Sequence, residues 1–160
     1  MANIFNAAEI IDMGIEKERK RRDFYARVSE EFAEKDLKKL FSDLSNWEEE
    51  HIKKFTEIRN SVADEEIAES YQGEFTAYIR SLVDDRLYSQ VTASSFSKNI
   101  RTPLDAIHWG MGFEKDAILF FNELIDYMPS QNKNKVKLLI DEEKKHIIYL
   151  SELRGKYIDK

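Results

Sequence analysis

No cysteine occurs among the 160 residues. This excludes disulfides, zinc ribbons, thiolate-held iron–sulfur clusters and cysteine nucleophiles, and leaves any bound metal to nitrogen and oxygen ligands. Proline (2) and glycine (5) are scarce, so turns are few, and the abundance of Glu, Lys, Leu, Ile and Ala points to long helices. No stretch approaches the roughly 18 uninterrupted apolar residues of a membrane span. The opening residues, Met1 to Asn6, carry neither a basic nor an apolar leader segment. Positive charge is not in excess either. The net charge is -6 with the two signs interspersed, and the one basic run, Lys17 to Arg22, is broken by Glu18, so nucleic acid has no electrostatic footprint here. These absences lead us to expect a soluble, unprocessed, cytoplasmic protein that forms one domain over 1–160, large enough to bury a core without staples.

What is present is helical periodicity. Asn6 with Glu9 has the spacing of a capping box, and apolar residues then recur at Ala8, Ile11, Ile15, Tyr25 and Phe32, which predicts a helix over about 7–33. Asp36 is placed to cap a second, over about 36–61, whose stripe is Leu37, Phe41, Leu44, Phe55 and Ile58. Thr102-Pro103-Leu104-Asp105 is a strong helix start. It opens a third helix over about 103–128, with Leu104, Ile107, Met111, Ile118, Phe121 and Ile125 on one face. Met128-Pro129-Ser130 separates it from a fourth over about 131–154, with Val136, Leu139, Ile140, Ile147, Leu150 and Leu153 on its stripe and Gly155 as the expected C-cap. Between the pairs, 62–101 is patchier, with Ile67, Tyr71, Phe75, Tyr78, Ile79, Leu82 and Val83 interrupted by Gly73, Ser and Asp. It predicts short helices in a connection far longer than the 2–8 residues that join antiparallel neighbours, and suits a crossover along a four-helix bundle.

Six polar residues lie where these stripes should be apolar: Glu18, Glu48 with His51, Glu114, and Glu143 with His146. They form a repeat. Glu18 and Tyr25 match Glu114 and Phe121 at an offset of 96, and Glu48-x-x-His51 matches Glu143-x-x-His146 at an offset of 95. Two helical hairpins related by a pseudo-twofold axis would bring all six to the middle of the bundle. Unpaired buried carboxylates cost several kcal/mol each, and four would rival the roughly 5–15 kcal/mol net stability of a domain. Two divalent ions would balance four carboxylates, with neutral imidazoles completing the coordination. Residues three apart on a helix point nearly the same way, so one Glu-x-x-His unit can serve one ion. One Glu from each of two helices plus Glu-x-x-His from each of two others is the ligand set of di-iron and di-manganese bundles. With 19 Glu in the chain, a single Glu-x-x-His arises by chance roughly one time in eight per histidine; two, each matched to an upstream Glu inside the stripe, is not a chance pattern. Carboxylate-rich sites with imidazole suit iron or manganese better than copper.

With these motifs the sequence resembles the rubrerythrin-type di-iron domain of the ferritin-like superfamily, the Glu18/Tyr25 spacing and the paired Glu-x-x-His motifs carrying the likeness over most of the chain. The resemblance implies an all-α, ferritin-like four-helix bundle with one long crossover. It also implies two iron ions, with manganese or a mixed pair as the alternative. Glu18 beside His51 and Glu114 beside His146 would then be terminal ligands, and Glu48 and Glu143 the bridges. It further implies an oxidoreductase acting on hydrogen peroxide or dioxygen as a peroxidase or ferroxidase, and a homodimer. Rubrerythrins proper have a further Glu three residues after the third-helix ligand, where this chain has Ala117. They also have a cysteine-rich rubredoxin domain, so here electrons would come from a separate protein. The alternatives are a non-catalytic iron store or scaffold, and a metal-free helical adaptor held by Arg–Glu pairs.

The remaining residues are read more simply. Arg21 and Arg22 are expected to extend their guanidinium groups to solvent, the alternative being a pair with Glu18. For Tyr25, a hydrogen bond to a ligand carboxylate and plain core packing both fit. Gly14 and Gly110 each precede a ligand Glu by four residues, which suggests close helix approach. His108 is turned away from the ligand face, and Trp47 and Trp109 are assigned to the core or a dimer surface.

Overall fold

A computed structural model describes residues 6–62, 74–83, 86–92 and 94–158. Along the chain run α1 (Ala7–Glu31), α2 (Lys35–Ser61), α3 (Glu74–Val83), α4 (Arg86–Ser89), α5 (Phe96–Asn99), α6 (Pro103–Ile125) and α7 (Ser130–Ile158). Short helices thus occupy the connection, as its pattern predicts. Ile67, Tyr71 and Gly73, and the side chains of Phe75 and Val83, lie outside what is described. No described helix is long and apolar enough to cross a membrane.

Helix starts follow local chemistry where a capping box exists. Asn6 Oδ1 accepts from the Glu9 amide at 2.8 Å while Glu9 Oε2 accepts from the Asn6 amide at 2.9 Å, satisfying two amides that the first turn of α1 leaves free. Thr102 and Asp105 do the same for α6, with Pro103 in its first turn. Two expectations fail at the opposite end of the bundle. Asp36 is not the cap of α2: Glu34 holds that position without a side-chain bond, and Asp36 instead accepts from its neighbour Leu37 N at 2.8 Å and from Tyr157 OH at 2.6 Å. That tie, together with packing of Tyr157 on the core, carries α7 through Gly155 to Ile158 instead of ending it there.

The core comes in two clusters, and their membership fixes the helix directions. Ile10, Ile11 and Ile15 of α1 share one cluster with Phe55 and Ile58 of α2, Phe120, Phe121 and Leu124 of α6, and Val136 and Leu139 of α7. Tyr25 and Val28 of α1 share the other with Leu37, Phe41 and Leu44 of α2, Ile107 and Phe113 of α6, and Leu150 of α7. Helices α1 and α7 therefore run from the first cluster to the second, and α2 and α6 run back. Because α2 and α6 are parallel, the chain must return the length of the bundle between them, about 40 Å for a 27-residue helix. The crossover does so, Ile79 entering the first cluster and Tyr88, Val91, Phe96 and Ile100 the second.

Within the first cluster α1 and α6 pass closely at Gly14. A Cβ there would lie 3.0 Å from Phe120 Cε1 and 3.4 Å from Phe121 Cε1, whereas one at Gly112 meets nothing within 4 Å. Alanine removes the roughly 1 kcal/mol helix penalty of glycine at both positions, but at Gly14 the fully buried Phe120 ring must give by a few tenths of an ångström, at about 1–3 kcal/mol. Gly112→Ala is expected to stabilise the protein by about 0.5–1 kcal/mol and Gly14→Ala to destabilise it, read as opposite shifts in urea midpoint.

Candidate metal centre

The layer separating the two clusters is polar. Glu18, Glu48, Glu114 and Glu143 are fully buried, with His51 and His146 nearly so, each carried inward by the apolar residues on either side of it along its own helix. Ligand atoms fall into two sets, each drawn within 4.8 Å: Glu18, Glu48, His51 and Glu143, and then Glu48, Glu114, Glu143 and His146. All six residues singled out from the sequence are brought together. Glu48 and Glu143 belong to both sets, and each divides its oxygens between them. Glu143 Oε1 lies 3.0 Å and Glu48 Oε2 3.5 Å from His51 Nδ1, while Glu143 Oε2 lies 2.9 Å and Glu48 Oε1 3.5 Å from His146 Nδ1. The imidazoles stack at 5.4 Å.

His51 Nδ1 and Glu143 Oε1 are hydrogen-bonded to each other, but most of the other inward atoms are not. Glu18 Oε2, both oxygens of Glu48, Glu114 Oε2, Glu143 Oε2 and His146 Nδ1 are buried without an aligned hydrogen-bond partner. Buried acceptors left in this way are costly, and two cations placed among them would use every one. The donor set, hard carboxylates with two imidazoles, fits iron or manganese.

Arg21 corrects the expectation from sequence. It does not reach solvent: its side chain is 0% exposed and forms an ion pair with Glu18 Oε1. Its guanidinium also lies 3.7 Å from Glu48 Oε2 and 3.8 Å from Glu143 Oε1, and Nη1 donates to Tyr88 OH at 3.2 Å. The balance of two dications against four carboxylates therefore gains a fifth positive charge. The spacing was legible, since Glu18-x-x-Arg21 repeats the Glu-x-x-His interval on the same stripe. Arg22 is the outward one, bonded to Glu49 and Asp23. Tyr25 takes the polar option, donating to Glu114 Oε1 at 2.6 Å with Gly110 O at 3.3 Å.

Three other contacts had no sequence signal. Tyr88 arrives from the crossover, and its stack on Phe113 at 4.3 Å holds its hydroxyl over Arg21. Glu142, beside Glu143 on the outer face, lies 2.7 Å from His51 Nε2 and near Lys54, which fixes that ring with Nδ1 inward. Trp47 is part-exposed rather than core, and its ring stacks on His146 at 5.2 Å. Trp109 packs against the second core cluster and His108 is exposed.

Without metal the cluster holds protons. Burial, then Glu143 and Glu48, push Glu114 up to about 8. Burial also raises Glu18 despite Arg21. Burial alone would lower His146, but the nearby carboxylates of Glu114, Glu143 and Glu48 carry it up to about 12, and His51 is raised in the same way by Glu143, Glu18 and Glu48. Glu143 is held at about 2, the two histidines outweighing burial and Glu48. A cavity of about 370 Å³ between α2 and α7, lined by Trp47, His51, Lys54, Glu142, His146 and Tyr149, reaches both histidines.

The sequence pattern of the rubrerythrin family matches residues 9–153. Among solved structures, a protein from Thermotoga maritima provisionally described as a ferritin-like diiron-carboxylate protein superposes with a TM-score of 0.69. The match covers 98% of this chain and 99% of that one at 22% identity, a likeness that establishes an all-α, ferritin-like bundle. No protein with a curated description matches the sequence.

Proposed function

Given that the chain belongs to the rubrerythrin family, we propose that its buried cluster binds two iron ions and reduces hydrogen peroxide or dioxygen. The observation that carries this reading is the sharing of Glu48 and Glu143 between two ligand sets, one oxygen to each. Glu18 and His51 would complete one ion's shell, Glu114 and His146 the other's. Manganese would fit the same donors. Two iron ions held there would supply one electron each, matching the two-electron reduction of peroxide to water, together with Lewis acidity toward the bound oxygen.

The chain's own residues prepare the site. Tyr25 keeps its phenolic proton on Glu114 Oε1 and so orients that carboxylate. Glu142 orients His51 from behind. The opening beside Trp47 and Tyr149 admits a molecule the size of peroxide, and an apolar core cluster lies on either side of the polar layer. A separate electron-donor protein would return the ions to the reduced state.

The Arg21–Glu18 pair favours a second reading, a metal-free bundle held by internal ion pairs. We prefer the metal centre because five carboxylate oxygens and one imidazole nitrogen remain buried there without a hydrogen-bond partner, which internal ion pairs do not supply. The test is anaerobic Fe(II) loading followed by peroxide with a chemical reductant in excess. Sustained consumption over many equivalents per chain is expected. A single stoichiometric oxidation would identify a store, and protein that takes up no iron would identify the metal-free bundle.

A further inference from the structure

We propose that Arg21 makes the two metal positions unequal, so that the position of Glu114 and His146 fills first and tightly while that of Glu18 and His51 holds its ion weakly. The inference rests on the di-metal reading above and concerns how such a site would load.

The two positions are closely matched except in charge. Each terminal carboxylate has one oxygen engaged and one free: Glu18 Oε1 is engaged by Arg21, Glu114 Oε1 by Tyr25, and the Oε2 atoms of both are unpartnered. One partner is a guanidinium, which keeps its charge in proteins, and the other is a neutral phenol. The asymmetry extends to the shared carboxylates. Arg21 approaches Glu48 Oε2 and Glu143 Oε1, the two oxygens that face His51 and not those that face His146. In the repeat, the residue 96 positions on from Arg21 is Ala117, buried and uncharged, so among the described residues no buried arginine or lysine pairs with Glu114 as Arg21 does with Glu18.

Arg21 has no route away from its position. It is fully buried, bonded to Tyr88, and its guanidinium lies 6.0 Å from the centre of the Phe121 ring. With imidazoles neutral, four carboxylates and one guanidinium leave three negative charges for the first dication, but only one for the second. In a site without the arginine the corresponding charges are four and two. At the low effective dielectric of a buried cluster, a unit charge a few ångströms away alters affinity by about 100-fold or more, and it acts on the nearer position most.

The full chain, stripped with chelator and titrated with Co(II) by calorimetry and visible absorption, tests this. Wild-type protein is expected to bind in two steps whose Kd values differ by about 100-fold or more. His51→Ala should remove the weaker step and keep the tight one; His146→Ala should remove the tight one. Arg21→Met and Arg21→Gln should tighten the weaker step more than the tight one and so narrow the gap by about tenfold or more, and Arg21→Lys should restore it. The glutamine and lysine variants retain a hydrogen-bonding group at Glu18, so the comparison survives a methionine variant that does not fold. Equal steps in the wild type, a gap of unchanged size in the uncharged variants, or loss of the tight step with His51→Ala would each overturn the proposal. Protein that binds no cobalt at all would overturn the metal-centre reading itself.

Discussion

Replacing Glu48 and Glu143 together by alanine is expected to take bound Fe(II) from about two ions per chain to none, read by anaerobic titration and elemental analysis of the full chain. The size of the effect follows from how their oxygens are divided. Each carboxylate faces both histidines, Glu48 through Oε2 and Oε1 and Glu143 through Oε1 and Oε2. Either single substitution should therefore weaken both ions, whereas Glu114→Ala should weaken mainly one. Loss of a group that only supports a ligand costs 10–100-fold in affinity, so loss of two shared ligands should exceed about 100-fold at each position. The double variant takes away carboxylates that face Arg21 and both histidines, a loss of buried counter-charge that is destabilising, so the titration is read only on protein whose helix content by circular dichroism shows it folded. Unchanged stoichiometry in a folded double variant would sink the assignment.

Stability should respond to pH in opposite directions with and without metal. In metal-free protein Glu114 titrates at about 8 in place of 4.5, so between those values the folded chain holds a proton that the unfolded chain has released, and stability falls as pH rises. His146 titrates at about 12 in place of 6.5. Its contribution is complete below 6.5 and declines above, which has the same sign. Glu143, lowered from 4.5 to about 2, contributes fully above 4.5 and is flat across this window, its stabilisation being lost only as pH falls toward 2. Metal reverses the trend because these ligands must lose their protons to bind, so affinity grows with pH. An ion present at 1,000 times its Kd adds about 4 kcal/mol, or roughly 8–16 °C for a chain of this length. Melting curves with Mn(II) and with chelator should lie close together near pH 5 and about 10 °C or more apart near pH 8. A separation that stays constant or narrows as pH rises would contradict the proton-competition account.

Much of this was readable because strong local rules and the fold agree. Asn6 with Glu9, and Thr102 with Asp105, start helices by bonds between near neighbours, and such bonds depend on little else. The six polar residues stood out because a charged group inside an apolar stripe has to be compensated. Where the reading failed, a distant partner decided. Asp36 and Gly155 are 119 residues apart, yet Tyr157 reaching back to Asp36 settles how both helix ends behave. Arg21 lay on the stripe with the spacing of a ligand, but an arginine can extend to water from many stripe positions. Only the crossover, which places Tyr88 over it, shows that this one does not. Nothing in the sequence announced Tyr88, because a residue in a patchy connection has no periodic face from which a target can be inferred.

The duplication within the chain has a consequence for that arginine. A dimer of one hairpin would present every side chain twice, and a guanidinium beside one Glu18 would bring a second beside its mate, giving six positive charges with two dications against four carboxylates. Joining the halves into one polypeptide releases them from this constraint. One half can then carry Arg21 and Tyr25 while the other keeps Ala117 and Phe121 at the matching places. The long connection, needed geometrically because α2 and α6 are parallel, is thus also what permits two chemically distinct positions within an almost symmetric frame.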